Sequence, residues 1–101
     1  MKVVFAERAR QDISDIYNSI AAHNRAAAQR VENAIRADCE RLGAFPFASV
    51  ETDEPNVRRM PLGRYRYTIF CRINEARGVV EIARVVHSAR VRDLGRMPED
   101  D

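Results

Sequence analysis

The residues of this chain that could do chemistry are concentrated after residue 57. His87 could act as a general acid or base, the role to which an imidazole side chain is best suited. Arg66, Arg90 and Arg92 carry guanidinium groups suited to a phosphate. Metal-free cleavage of RNA needs a base for the ribose 2′-OH, cations for the crowded phosphorane and an acid for the leaving oxygen. Such a site can be drawn from these four side chains. The competing reading makes His87 a strand-end histidine that bonds the backbone and anchors the tail, and leaves each arginine a solvated surface residue. Cys39 and Cys71 lack metal-ligand spacing and read as buried free thiols rather than a disulfide. Nothing in the sequence calls for a metal or other cofactor.

The chain has 101 residues, 46% hydrophobic and 32% charged, and carries a formal net charge of +2. This length allows one compact domain, 1–101, closing in an acidic tail at 97–101. The composition excludes a disordered chain, and no apolar run reaches the roughly 20 residues of a spanning helix. Met1 leads straight into Lys2, Val3, Val4 and Phe5 and then into charged residues, so no secretory leader and no membrane association are expected. The cytoplasm is the expected compartment. The charge is uneven. Residues 1–55 hold seven bases against nine acids, 56–96 hold ten arginines against three acids, and the tail holds three acids. The central block should create a positive potential that attracts an acidic protein segment or a phosphate backbone.

The elements that must position these residues follow from periodicity. Val3 to Phe5 reads as a short strand. Ala9, Ile13, Ile16, Tyr17 and Ile20 form one face of a helix, with Arg10, Asp12, Ser14, Asp15 and Asn18 facing water. Asn24 is placed to cap a second helix, whose apolar face holds Ala27, Val31, Ala34, Ile35 and Leu42, and Gly43 is placed to stop it. Residues 48–56 read as a polar, acidic surface loop. Val57–Met60, Arg64–Asn74 and Val79–His87 read as strands, the last two joined by a turn at Glu75–Gly78. Tyr65, Tyr67, Ile69, Cys71 and Ile73 share one face of the long strand. In the next strand Val80, Ile82, Arg84 and Val86 share a face, against Glu81, Ala83, Val85 and His87. Residues 88–97 read as a polar tail with at most one helical turn. The order is β-α-α-β-β-β, an α+β fold with a helical hairpin packed on one face of a small antiparallel sheet. The other face is expected to stay partly open and to carry arginines.

The segments Val57-Arg58-Arg59-Met60-Pro61-Leu62-Gly63-Arg64-Tyr65-Arg66-Tyr67-Thr68-Ile69-Phe70 and Val85-Val86-His87-Ser88-Ala89-Arg90, with the first helix, resemble the ParE/RelE superfamily of bacterial toxins. The resemblance spans residues 2–92. It implies a small cytoplasmic toxin of a type II toxin–antitoxin system, wrapped by a cognate, ParD-like antitoxin. Two activities occur on this fold: ParE-type members inhibit DNA gyrase without catalysis of their own, and RelE-type members cleave messenger RNA in the ribosome. Fold does not decide between them.

The sequence departs from the RelE pattern. Arg58 and Arg59 stand where that pattern is lysine-rich, Tyr67 stands at an arginine position, and no tyrosine follows Tyr67. The surroundings of Tyr65, Tyr67, His87 and Arg90 look more like ParE, although Ala48 and Ser49 stand where ParE members often carry a glycine. A ParE-like, gyrase-inhibiting toxin is therefore expected, with a ribosome-dependent endoribonuclease acting on messenger RNA as the alternative. Partner contacts are expected from Arg58, Arg59, Arg64, Tyr65, Tyr67, Arg84, His87, Arg90 and Arg92. In the alternative, His87 would be the acid or base and Arg66 and Arg90 would hold the phosphate. The two tyrosines read either as core or as an aromatic rim gripping a partner helix.

Overall fold

A computed structural model describes residues 1–91 and 97–98. The elements run β1 (Lys2–Phe5), α1 (Glu7–Ala21), α2 (Arg25–Ala44), a 3-10 turn (Pro46–Ala48), β2 (Val50–Glu51), β3 (Arg58–Pro61), β4 (Tyr67–Asn74), β5 (Val79–His87) and a second 3-10 turn (Ser88–Arg90). The α+β architecture with a helical hairpin against one sheet is as expected. The sheet itself differs in two ways. Its order is β1-β5-β4-β3-β2, and β1 runs parallel to β5, pairing Lys2 with Val79 and Phe5 with Ile82, so the sheet is mixed. β2 lies within the stretch expected to be loop and pairs Val50 with Arg59. Two residues are too few for periodicity to register.

Local chemistry sets the helix boundaries. Glu7 places a carboxylate in the first turn of α1, where the helix dipole favours it. The Asn24 side chain accepts the Ala27 N–H at 3.0 Å and starts α2, as its position predicts. Ala28, Val31, Ile35, Cys39 and Leu42 are the buried stripe of α2. Gly43 does not stop the helix, which continues to Ala44. A Cβ at Gly43 would stand 2.7 Å from Val3 Cγ2 and 2.8 Å from the Met1 carbonyl oxygen. The glycine is there because β1 crosses that close.

One β-bulge rearranges β5. Phe70 pairs with Arg84 and Cys71 with Ile82, which leaves Ala83 without a partner across the ladder. The side-chain alternation changes phase there. Val80, Ile82 and Val85 join Ile13, Ile35, Leu42 and Ile69 in the core beneath the helices. Val86 joins Phe70 and Val57 in a second cluster. The expected grouping of Val86 with Val80 and Ile82 is thus corrected. The other face is covered in part, since Val91 and Met97 pack over this second cluster. Burial at this level is worth about 2 kcal/mol for each large apolar side chain. Both cysteines are free and buried. Burial pushes the Cys39 thiol up to about 12, with Asp38 adding to the effect. Among the described residues no helix is long and apolar enough to cross a membrane.

Candidate interaction site

The start of β4 and the end of β5 meet at one rim of the sheet, where Tyr67 pairs with His87. Their rings are edge to face, with centroids 5.5 Å apart and planes at 78°. His87 Nδ1 accepts the Ala89 N–H at 3.2 Å and so caps the 3-10 turn that follows. An accepting Nδ1 carries no proton, which places the ring proton of the neutral form on Nε2. The Ser88 N–H donates to the Arg66 carbonyl oxygen at 2.8 Å, and the Ser88 and Thr68 hydroxyls lie 2.9 Å apart. These bonds fix the backbone of Arg66 against the turn that bears Arg90. His87, Arg64, Arg66 and Arg90 are exposed. Tyr65 and Tyr67 are half-buried and pack on the main core, and burial raises the Tyr67 phenol pKa.

The structure therefore gathers Arg66, Tyr67, His87 and Arg90 at one rim. Other expected contact residues lie elsewhere. Arg59 is half-buried in β3, paired with Phe70. Arg58 turns inward: its Nε donates to Ser49 Oγ at 2.9 Å, its Nη2 to the Ser49 carbonyl at 2.6 Å, and its guanidinium covers the Phe47 ring at 5.1 Å. It holds a loop in place. Arg84, expected on the surface, is only 4% exposed. Arg92 lies outside the described residues.

Arg84 reveals a residue that sequence reasoning misplaced. Asp12, expected to face water, is 7% exposed. Its carboxylate accepts Arg84 Nε at 2.8 Å, Arg84 Nη2 at 3.2 Å and the Val85 N–H at 2.9 Å. Arg84 Nη1 also donates to the Pro98 carbonyl oxygen at 3.0 Å. β1 pairs with β5 only as far as Ile82, so the β5 edge beyond it needs another acceptor, and α1 supplies one. The signal was present: Ala9, Asp12, Ile13 and Ile16 fall at i, i+3, i+4 and i+7, which puts Asp12 inside the apolar stripe.

Residues 3–92 match the family model described as ParE toxin of type II toxin-antitoxin system, parDE. The chain belongs to the ParE toxin family. No curated protein sequence matches it. Among solved structures, it is similar to a chain of the chromosomal ParDE TA system from P. aeruginosa, at 18% identity and a TM-score of 0.75, over 86% of this chain and 95% of that one. It is also similar to the isolated E. coli RelE toxin, at 15% identity and a TM-score of 0.64, over 86% of this chain and 83% of that one. At these identities the two likenesses speak to fold alone. The family membership rests on the sequence match, and the fold it brings is the one described above.

Proposed function

We propose that this chain is a ParE-type toxin, a cytoplasmic single-domain protein that inhibits DNA gyrase by binding and is held inactive by a ParD-like antitoxin. The observation that carries the reading is the engagement of His87. Its Nδ1 is occupied by the Ala89 N–H and its ring is set edge-on against Tyr67, which is the geometry of a structural cap. The exposed arginines Arg64, Arg66 and Arg90 then act as a charged surface toward gyrase or its DNA complex, and toward an acidic, amphipathic antitoxin segment that orders on binding. The P. aeruginosa structure, named as a ParDE system, supports an antitoxin partner.

The test is induction of the chain without antitoxin, followed by labelled thymidine and labelled methionine incorporation. DNA synthesis falling first, together with loss of supercoiling by purified gyrase, is the expected result. A second reading rests on the juxtaposition of His87 with Arg66 and Arg90 at one rim and on the RelE-like fold. It is a ribosome-dependent endoribonuclease acting through His87 Nε2. Methionine incorporation stopping within minutes, ahead of thymidine, would establish that reading instead.

A further inference from the structure

The expected interaction rim is basic, but the β2 side of the sheet carries a surface of the reverse character. Among the described residues β2 is an edge strand, paired on one side only, to β3. Just before and within it stand three large apolar side chains that the fold leaves in water: Phe45 at 66%, Phe47 at 59% and Val50 at 51% exposure. The edge is only two residues long and presents Val50 beside the carboxylate of Glu51, which limits what can add to it to a short segment.

The surface is held rigid. The Arg58 guanidinium lies over the Phe47 ring at 5.1 Å and bonds Ser49 through two nitrogens. The loop that follows closes on itself. Thr52 Oγ1 donates to the Val57 carbonyl at 2.9 Å, and the Thr52 N–H reaches the same oxygen at 3.2 Å. The Glu54 N–H donates to Thr52 Oγ1 at 3.1 Å. Exposed aromatic surface that is already ordered costs little further entropy on docking.

Phe47 also borders an open cleft of about 440 Å³ whose other walls include Glu51, Asp53, Glu54, Ile73 and Glu75. Arg58, the one cation on the same cleft among the described residues, is bonded to Ser49 and pairs with Glu51 at 3.8 Å, so it offsets one of these four carboxylates. Four carboxylates against one cation, beside an apolar ledge and a strand edge unpaired among the described residues, select one kind of occupant. A second copy of this chain would bring the same carboxylates together. An acidic segment would be repelled.

We propose that the β2 edge docks an extended, basic and apolar segment of another protein, added as a strand beside Val50 and Glu51. Its apolar side chains cover Phe47 and Val50, and a lysine or arginine reaches the carboxylates of Asp53 and Glu54. This surface is independent of the gyrase reading: β2 lies at the other side of the sheet from β5, and none of Arg66, Tyr67, His87 and Arg90 lines the cleft.

The test uses the whole protein and two short synthetic peptides, one alternating lysine with valine and one alternating glutamate with valine. Amide shifts are followed by heteronuclear NMR. The lysine peptide should shift the amides of residues 47–54 and bind more weakly as salt is added. The glutamate peptide should leave the amides of residues 47–54 unchanged, whatever it does at the basic rim. Val50→Lys and Asp53→Lys, both at exposed positions, should each weaken the lysine peptide by roughly tenfold while the amides of α1, α2 and β5 keep their positions. Equal effects of both peptides on the amides of 47–54, no shifts there, or concentration-dependent shifts of those amides in the protein alone would overturn the proposal, the last in favour of a second copy. The two-peptide comparison stands on the unaltered protein, whatever the variants do.

Discussion

Asp12 in α1 and Arg84 in β5 form a buried ion pair at 2.8 Å between residues 72 positions apart in the chain. The same carboxylate accepts the Val85 N–H directly after the β-bulge, and Arg8 adds a longer contact at 3.5 Å from the helix surface. One side chain therefore neutralises a buried cation, satisfies the exposed edge of β5 and ties α1 to the sheet. Arg84 also reaches Pro98, which brings the last described residues into the same junction.

Removing the carboxylate should be costly. Asp12→Ala leaves Arg84 buried without its acidic partner, for which about 3–5 kcal/mol of destabilisation is the usual scale. Urea unfolding should show a lower midpoint with little change in slope. The double variant Asp12→Ala/Arg84→Met should recover much of the loss, because it removes the buried cation together with its carboxylate. A small effect in the single variant would mean the pair is not the anchor described here.

Gly43→Ala should destabilise the junction of α2 with β1 by roughly 1–3 kcal/mol, since the added methyl meets Met1 backbone and Val3 at less than contact distance. Alanine is the better helix former, so a glycine acting only within α2 would give the opposite sign. Thermal unfolding of the two proteins decides between them.

Cys39 provides a pH test. Its thiol is raised by burial from 9 to about 12, so the unfolded chain ionises first. The stabilisation this represents is whole below pH 9 and is lost progressively as the pH rises from there to about 12. Stability measured across that window should fall more steeply in the natural sequence than in Cys39→Ala. Equal slopes would place the thiol in a wetter site. Neither cysteine should react with a thiol reagent at pH 8 until the protein unfolds.

His87→Ala should keep its toxicity to within a factor of a few and should bind antitoxin normally. Removing a general acid or base would instead cost roughly 10²–10⁴-fold. Growth inhibition titrated against inducer, with antitoxin pull-down alongside, reads both quantities. A large loss of toxicity with intact antitoxin binding would move the rim from a binding surface to a catalytic one.

Much of the architecture was legible because short-range rules dictate it. The α1 and α2 stripes, the Asn24 cap, the Glu75–Gly78 turn and the long strands all follow from spacing or from single residue types. The rim residues were legible as chemistry-bearing types, and the family match at 3–92 agrees with the segments that carried the resemblance. Other features were not visible. The exchange of faces between Val85 and Val86 depends on Ala83 bulging, which no alternation announces. Arg84 read as a surface cation because its partner is far away in the chain. Arg58 read as a partner contact because nothing local marks Ser49 and Phe47 as its targets.

The sequence by itself determined the helical hairpin, the main strands and the family, since each is written in residue periodicity or in contiguous motifs. The tertiary structure decided which charges are spent inside and which face outward. Asp12 and Arg84 became an internal junction, Arg58 became a loop clamp, and Phe45, Phe47 and Val50 were left in water. Those outcomes depend on which distant groups meet, and a charge or an aromatic ring reads the same in a sequence whether its neighbour is water or a residue 72 positions away.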